Sequence, residues 1–205
     1  MECPDKSYEY RCVEYDIKPN AAVLKKLADP TFSLRTVTSL DFSWIPLGDS
    51  GACALLKVIK DSPNLQKLNM SSTGMRKQSA LVFCDMFHNH KCLAEVDLSS
   101  NFLDSEALCA LVDFAERTFS ITLFDLSDNK DLCLGLQVRL RKSLEAHRNL
   151  GQASSPYGRS SPFRVIEDLK KNITEINSPS SLGGMSPKSP SIGGFSEGPF
   201  QRNHV

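Results

Sequence analysis

A pattern of apolar and polar residues recurs four times along the chain. The four copies read VTSLDFSWIPL, LQKLNMSSTGM, LAEVDLSSNFL and ITLFDLSDNKDL, and they begin 28 residues apart at Val37, Leu65, Leu93 and Ile121. In every copy the first, fourth and sixth positions are apolar. Because the fourth and sixth positions are two residues apart, which is the period of a strand with one buried face, the pattern predicts four short β-strands.

The residues after each predicted strand show the three-to-four spacing of an amphipathic helix. A short strand and a helix cannot bury their apolar faces alone, so consecutive copies must stack. The sequence therefore predicts an α/β fold, a short curved solenoid of about four 28-residue strand–helix repeats. The helical apolar positions are Ala52, Leu55, Leu56 and Ile59 in the first copy, Leu81, Cys84, Met86 and Phe87 in the second, Leu108, Leu111, Val112 and Ala115 in the third, and Leu136, Leu140 and Leu144 in the fourth.

The copies LAEVDLSSNFL and ITLFDLSDNKDL resemble leucine-rich repeats of the form LxxLxLxxNxL, and the 28-residue length resembles the ribonuclease-inhibitor-like subclass. The resemblance covers about residues 34–150 and implies a scaffold that binds proteins, although such repeats serve many unrelated partners. Asn101 and Asn129 occupy the family's Asn position, whereas Ile45 and Thr73 occupy it in the first two copies. The turn after the first strand must therefore be held in another way.

The chain divides into three segments by composition. Residues 1–33 form an N-terminal arm with a capping helix at 20–28, where Asn20 is the expected N-cap and Val23, Leu24 and Leu27 share one face. Residues 34–150 form the leucine-rich-repeat domain, which a polar helix at 139–149 closes. Residues 151–205 form a tail in which 24 of 55 residues are Ser, Pro or Gly, a composition that predicts disorder.

Two features of the tail indicate regulation. The segment 163–177 predicts an amphipathic helix whose apolar residues are spaced three, four and three apart, and its docking surface stays open between another copy, the solenoid end and a partner. Five serines precede proline and are candidates for proline-directed phosphorylation, with a plain Ser/Pro-rich linker as the alternative. These serines are Ser155, Ser161, Ser178, Ser186 and Ser189.

Charge and targeting signals limit the class of protein. Lys plus Arg and Asp plus Glu are each 24, so the zero net charge argues against nucleic-acid or anionic-membrane partners. Neither an apolar run of about 18 residues nor a signal-peptide pattern is found, so we expect no membrane span and a cytoplasmic location. A cytoskeletal, centrosomal or ciliary setting follows by fold analogy only. Seven unevenly spaced cysteines fit reduced thiols.

A candidate partner-binding surface follows from the strand period. The third, fifth and seventh positions of each copy must point to the concave side, opposite the buried positions. The fifth positions of neighbouring copies place the carboxylates of Asp97 and Asp125 close together, and a partner with a basic surface would relieve their repulsion. Alternatively, Asp or Asn followed by Ser is the family's ordinary choice there. The candidate residues are Asp41, Trp44, Lys67, Asn69, Glu95, Asp97 and Asp125, and the serines at position seven are Ser43, Ser71, Ser99 and Ser127.

Trp44 is the only tryptophan of the chain and follows the first predicted strand. Tryptophan is enriched among interface residues that contribute most to binding, so Trp44 is a candidate contact. The alternative is that Trp44 packs on the N-terminal cap beneath Tyr8, Tyr10 and Tyr15.

Nothing in the sequence predicts catalysis, a cofactor or a metal site. His88, His90 and Cys92 lie close together but lack a second ligand pair, so an ordinary polar turn is favoured. Cys53 and Cys109 are expected in the core.

The predicted function is a non-enzymatic intracellular adaptor or scaffold that binds a protein on the concave face. Two alternatives stay open. One is a regulator of a small GTPase acting through Arg35 or Asp49, and the other is the structural end piece of a larger cytoskeletal or ciliary repeat assembly.

We predict that the phosphomimetic substitution Ser161→Glu raises the helix content of a synthetic peptide of residues 160–179, because a negative charge before the predicted helix at 163–177 interacts favourably with its dipole. Circular dichroism measures the change. Ser178→Glu, at the other end of the segment, is the matched control and should give no gain. Equal helicity of the native and Ser161→Glu peptides would contradict the prediction.

Overall fold

The computed structural model describes residues 3–152. Two helices, α1 (Pro4–Glu14) and α2 (Ala21–Leu27), precede four strands that alternate with four helices in this part of the chain. The predicted tail lies outside the described residues, apart from the end of the last helix, and so does its predicted helix. The strands are β1 (Ser39–Asp41), β2 (Lys67–Asn69), β3 (Glu95–Asp97) and β4 (Leu123–Asp125), and the helices are α3 (Gly48–Ile59), α4 (Lys77–Phe87), α5 (Ser105–Arg117) and α6 (Leu134–Gln152).

The four strands form one parallel sheet in the order β1-β2-β3-β4. Every pair in the register is 28 residues apart, so that Leu40, Leu68, Val96 and Phe124 are successive neighbours across the sheet. All four side chains are buried. The repeat alignment therefore predicted both the strand positions and their register correctly.

The core lies between the sheet and the stacked helices α3 to α6. Positions one, four and six of the copies point into it, and only Val37, at the start of the first copy, is half-buried. Aromatic rings fill its centre, where the Phe83 ring centroid lies 5.0 Å from Phe87, 5.2 Å from Phe114 and 6.2 Å from Phe124. Burial of apolar surface on this scale is the main stabilising contribution to such a fold.

The expected apolar face of the second helix is partly wrong. The buried apolar residues of α4 are Ala80, Phe83 and Phe87, whereas Leu81 is 36% exposed and Cys84 and Met86 are half-buried. The buried set lies 28 residues after Ala52, Leu55 and Ile59 of α3, all of which are buried. The phase of the repeat is thus a better guide to burial than the local spacing of apolar residues.

The two cysteines expected in the core differ. Cys53 is buried, and its burial raises the pKa of the thiol to about 11, whereas Cys109 is exposed. Both residues share the repeat phase of the exposed Leu81. Cys53 is covered because α1 packs on α3 and brings Tyr15 within hydrogen-bonding reach of the thiol. The prediction for Cys109 is wrong, because among residues 3–152 no equivalent of α1 covers α5.

Helix α1 was not predicted, although it lies in the N-terminal arm. Its buried residues are Tyr8 and Cys12, one helical turn apart, and exposed charged residues surround them. Helix α2 agrees with the prediction, because the Asn20 side chain accepts hydrogen bonds from Ala22 N at 2.9 Å and Val23 N at 3.4 Å. An N-cap with apolar spacing is a much stronger signal than two buried residues in a polar helix.

The Asn101 side chain supports two consecutive strand–helix turns. Its Nδ2 donates to the carbonyl oxygens of Leu98 and Ser99 in its own turn, at 3.0 and 3.1 Å, and to Met70 in the preceding one, at 3.0 Å. Its Oδ1 accepts hydrogen bonds from three successive backbone N–H groups of the preceding turn. These groups belong to Thr73, Gly74 and Met75. The buried amide therefore satisfies backbone groups that would otherwise be buried without partners.

The first turn lacks such an Asn and is held by the backbone of the next copy. Thr73 O accepts from Leu47 N at 2.9 Å and from Gly48 N at 3.0 Å, and Ser71 O accepts from Trp44 N at 3.0 Å. Ile45, which occupies the Asn position, packs against the core instead. The expectation that this turn is held differently is confirmed.

We predict that Asn101→Ala lowers the free energy of unfolding by about 3 kcal/mol, because several buried backbone groups lose their partners. Asn129→Ala is the matched control and should cost about half as much, since Asn129 Oδ1 accepts from one backbone N–H, that of Leu103, at 3.3 Å. Equilibrium urea unfolding of the full chain measures both values. Equal losses in the two variants would contradict the assignment.

Candidate protein-binding surface

The sheet has one face that the helices do not cover. Positions three and five of the copies lie on this face, and we call it the open sheet face. A shallow depression of about 310 Å³ follows it. The face brings together all of the predicted partner-binding residues except Trp44. Its members are Ser39, Asp41, Lys67, Asn69, Glu95, Asp97, Leu123 and Asp125.

Unpaired carboxylates dominate the charge of the open sheet face. Lys67 Nζ lies 2.9 Å from Glu95 Oε2 on the neighbouring strand, so this cation and this anion neutralise each other. Asp41, Asp97 and Asp125 have no ion-pair partner among the described residues within 4.0 Å. The face is therefore acidic.

Each residue at position five also holds the turn that follows its strand. Oδ1 accepts the backbone N–H of the serine two residues later in all four copies, at 2.8 to 2.9 Å. The hydroxyl groups of Ser71 and Ser99 donate to the same oxygen, at 2.8 and 2.6 Å. The Asp/Asn-x-Ser pattern thus has a structural role, as the alternative interpretation proposed, and Asn69 performs it without a charge.

The serines at position seven lie in the turn and bond to the strand end, beyond the strands themselves. The expectation that they form a third row on the open face is wrong for Ser71, which is buried. In the aspartates one carboxylate oxygen is anchored by the turn, and within residues 3–152 the other accepts no hydrogen bond.

Asp41 shows the electrostatic effect of this anchoring. The hydroxyl and the backbone N–H of Ser43 both donate to the carboxylate and hold its pKa below the ordinary value for Asp, and the Lys26 ammonium group adds a smaller effect in the same direction. Lys26 Nζ also donates to Asp41 O, at the free edge of β1. Asp41 is consequently ionised and fixed in position at neutral pH.

Trp44 lies in the turn after β1, outside the open sheet face. Its side chain is 79% exposed, so the alternative in which it packs on the N-terminal cap is wrong. Tyr8 is buried on α1 and Tyr15 lies against Cys53. The Trp44 backbone has a φ of +61°, in the left-handed region, and the equivalent residues Ser72, Ser100 and Asp128 lie in the same region.

The histidine-containing turn is a backbone brace. His90 Nδ1 accepts the N–H of Leu93 at 3.1 Å, so Nε2 carries the proton and donates to Ser62 O in the preceding copy, at 2.8 Å. His88 contacts Asp85 O and Asn89 instead. Within the described residues no three His, Cys, Asp or Glu side chains cluster in a way that suits a metal ion. No helix in that range is long and apolar enough to cross a membrane.

Arg35 and Asp49, the two alternatives for GTPase regulation, lie in different elements, before β1 and in α3. Asp49, in the first turn of α3, accepts the backbone N–H groups of Arg76 at 3.0 Å and Ser79 at 2.9 Å, so it caps α4 from the preceding copy. Arg35 is exposed, and its carbonyl oxygen accepts a hydrogen bond from Asn64 Nδ2 at 2.6 Å. The role of Asp49 in the structure is that of a helix cap.

The comparisons with known proteins concern the fold. No family model and no curated protein matches the chain. The solved structure of leiomodin-1 actin-binding site 2 is similar to it, with a TM-score of 0.52 at 9% identity over 82% of this chain and 95% of that one. The tropomodulin C-terminal domain of Caenorhabditis elegans matches with a TM-score of 0.49 at 18% identity over 70% and 90% of the two chains. The leiomodin-1 likeness is one of fold alone, and this chain has a leucine-rich-repeat type of α/β fold.

We predict that Asp41→Asn removes part of the acid sensitivity of folding. Because the folded-state pKa of Asp41 is lowered, its ionised form stabilises the fold above about pH 4, and this contribution is lost as the pH falls through the lower folded-state value. Asparagine keeps the turn bond, as Asn69 does, but does not titrate. Urea midpoints measured between about pH 5 and pH 2 should therefore fall less steeply in the variant.

The matched control for this prediction is Asp131→Asn, at an exposed aspartate whose side chain makes no hydrogen bond among the described residues. The pH profile of this control should follow that of the native chain. An Asp41→Asn profile that also coincides with the native one would contradict the prediction.

Proposed function

We propose that the chain is a non-enzymatic intracellular adaptor or scaffold of the ribonuclease-inhibitor-like leucine-rich-repeat type, whose open sheet face binds a basic segment of another protein. One observation carries the proposal. Asp41, Asp97 and Asp125 lie on the sheet face that the described helices leave open, each with one carboxylate oxygen anchored and the other free of hydrogen bonds from residues 3–152.

The geometry of the face suits a basic segment. Adjacent strands are about 4.8 Å apart, so the carboxylates of Asp97 and Asp125 are near neighbours that raise each other's free energy until a cation binds between them. Anchoring by Ser99 and Ser127 fixes both side chains before binding, which reduces the entropy lost on association. Charge complementarity of this kind gives specificity and a faster association rate.

The proposed setting is cytoskeletal and cytoplasmic. The leiomodin-1 region of similar fold is described as an actin-binding site, and this supports a protein-binding, cytoskeleton-related role for the present chain. This support rests on a similar fold alone. The proposed partner of this chain is specified by its chemistry, a basic surface.

In this proposal the ends of the chain have separate roles. Helices α1 and α2 form an N-terminal cap over the first copy, the helix region at 139–149 closes the repeat domain of residues 34–150, and residues 151–205 form a regulatory tail. The tail has six basic and four acidic residues, a net charge of +2. Phosphorylation adds about −1.5 to −2 per site, so two of the five Ser-Pro sites reverse the sign of the tail.

We predict that the triple variant Asp41→Asn, Asp97→Asn, Asp125→Asn lowers recovery of the partner by about tenfold or more in pulldowns with the full chain, since three anchored carboxylates are lost from one interface. Asn keeps the turn bonds, as Asn69 shows, so the fold is retained. Quantitative mass spectrometry measures recovery.

The control variant changes the same net charge at three exposed aspartates outside the open sheet face. It carries Asp61→Asn, Asp85→Asn and Asp131→Asn, and its partner recovery should equal that of the native chain. Thermal melts establish that both triple variants are folded. Undiminished recovery with the open-face variant, or an equal loss with the control, would refute the proposed site.

A further inference from the structure

Two exposed aromatic side chains mark the turns that connect strands to helices. Trp44 in the first turn is 79% exposed and Phe102 in the third is 68% exposed, which makes them the most exposed aromatic residues in the described part of the chain. Exposed Pro46 and Arg76 lie in the first and second turns. We call Trp44, Pro46, Arg76 and Phe102 the loop-edge patch.

Backbone contacts join the three turns into one rigid support. Trp44 N and Gly48 N donate to carbonyl oxygens of the second turn, both at 3.0 Å, and Phe102 N donates to Met75 O at 2.9 Å. Glycines let the first two turns approach closely, because a Cβ on Gly74 would lie 3.3 Å from Gly48 Cα. The aromatic side chains are therefore presented from a backbone that is already ordered.

The conformation of Trp44 costs free energy that the fold does not recover. A φ of +61° suits Gly, Asn or Asp, whereas a bulky side chain is strained there. The equivalent residues Ser72, Ser100 and Asp128 are small or polar. Since the indole is 79% exposed, it gains little burial in return. A strained residue that does not stabilise the fold points to a role in binding.

Arg76 gives the patch its charge. Its guanidinium carbon lies 5.5 Å from the Phe102 ring centroid, in the range of a cation–π contact. The nearby acidic residues are engaged elsewhere, because Asp49 caps the α4 backbone and Glu106 pairs with Lys77. Among residues 3–152 no carboxylate lies within ion-pair distance of the Arg76 side chain. With respect to the described part of the chain, the Arg76 cation is therefore free to bind an external carboxylate.

We propose that the loop-edge patch docks an acidic amphipathic segment of a second protein. Apolar side chains of that segment cover Trp44 and Phe102. A carboxylate of the segment forms a bidentate ion pair with the Arg76 guanidinium group. This surface is separate from the open sheet face and selects the opposite charge. It therefore stands or falls independently of the proposed function.

The test selects ligands from a random 16-residue peptide library displayed on phage, with the full chain as target and the Trp44→Asn variant for counter-selection. Selected peptides are synthesised and titrated against the native chain. Because Trp44 is the only tryptophan, its fluorescence reports directly on the patch, and we expect the emission to shift to shorter wavelength on binding. The selected sequences should combine apolar residues with Asp or Glu.

Variants separate binding from folding. Trp44→Asn, Phe102→Ser and Arg76→Gln should each weaken the affinity of a labelled peptide by about tenfold or more, as measured by anisotropy. Phe119→Ser is the matched control, because Phe119 is 50% exposed in the turn before β4, outside the patch, and it should leave affinity unchanged. Trp44→Asn should melt no lower than the native chain, since Asn accepts the left-handed conformation.

Several outcomes would overturn the proposal. These are failure to select any peptide, affinity that survives Trp44→Asn and Arg76→Gln, or a melting temperature lowered by Trp44→Asn, which would give the indole a structural role. Self-association of the native chain that Trp44→Asn abolishes would assign the patch to a second copy. If every selected peptide is basic and requires Asp97 and Asp125 instead of Trp44, the patch has no ligand and its proposal is overturned, while the separate proposed function gains support.

Discussion

Each of the first three strand–helix copies completes its hydrogen bonds and its apolar packing through the copy that follows it. Thr38 O accepts from Gln66 N and Lys67 N. In the next copy Gln66 O accepts in the same way from Ala94 N and Glu95 N. Ala94 O repeats the arrangement once more. The turns obey the same rule, because Asn101 serves the turn before its own. Stacking in register is therefore the constraint on which the sheet, the core and the turns all depend.

This constraint decides which residues are free to serve function. Positions one, four and six must be apolar, and position nine serves the turn in the two copies that carry Asn101 and Asn129. Position five must offer one acceptor oxygen for the serine that follows, yet either Asp or Asn supplies it, as Asp97 and Asn69 do with nearly equal hydrogen-bond lengths. The negative charge at Asp41, Asp97 and Asp125 is thus additional to what the fold requires.

The sequence predicted what repeats and missed what does not. Four copies in phase predicted the strands and their register, because apolar residues recur at the same positions of each copy. The support role of Asn101 was indicated by the Asn at the ninth position of the third and fourth copies. Helix α1 is not a copy, and its two buried residues, Tyr8 and Cys12, gave no apolar periodicity. The burial of Cys53 depends on α1, so its contrast with Cys109 was invisible in a pattern that treats both as equivalent.

The candidate site was predictable to a similar extent. The strand period predicted the positions of the six sheet residues. The ion pair between Lys67 and Glu95 and the hydrogen bonds that anchor the carboxylates are evident only in the three-dimensional structure. Arg76 was not predicted as a binding residue, because it lies in a turn, where no strand or helix period applies. Its position over the Phe102 ring identifies it in the structure. Trp44 was found by its rarity, whereas its left-handed backbone shows that the fold tolerates it at a cost. The turns do not need the acidic charge at position five, and the first turn does not favour an indole. Both features depart from what the fold requires, and both lie on exposed surface that a partner can contact.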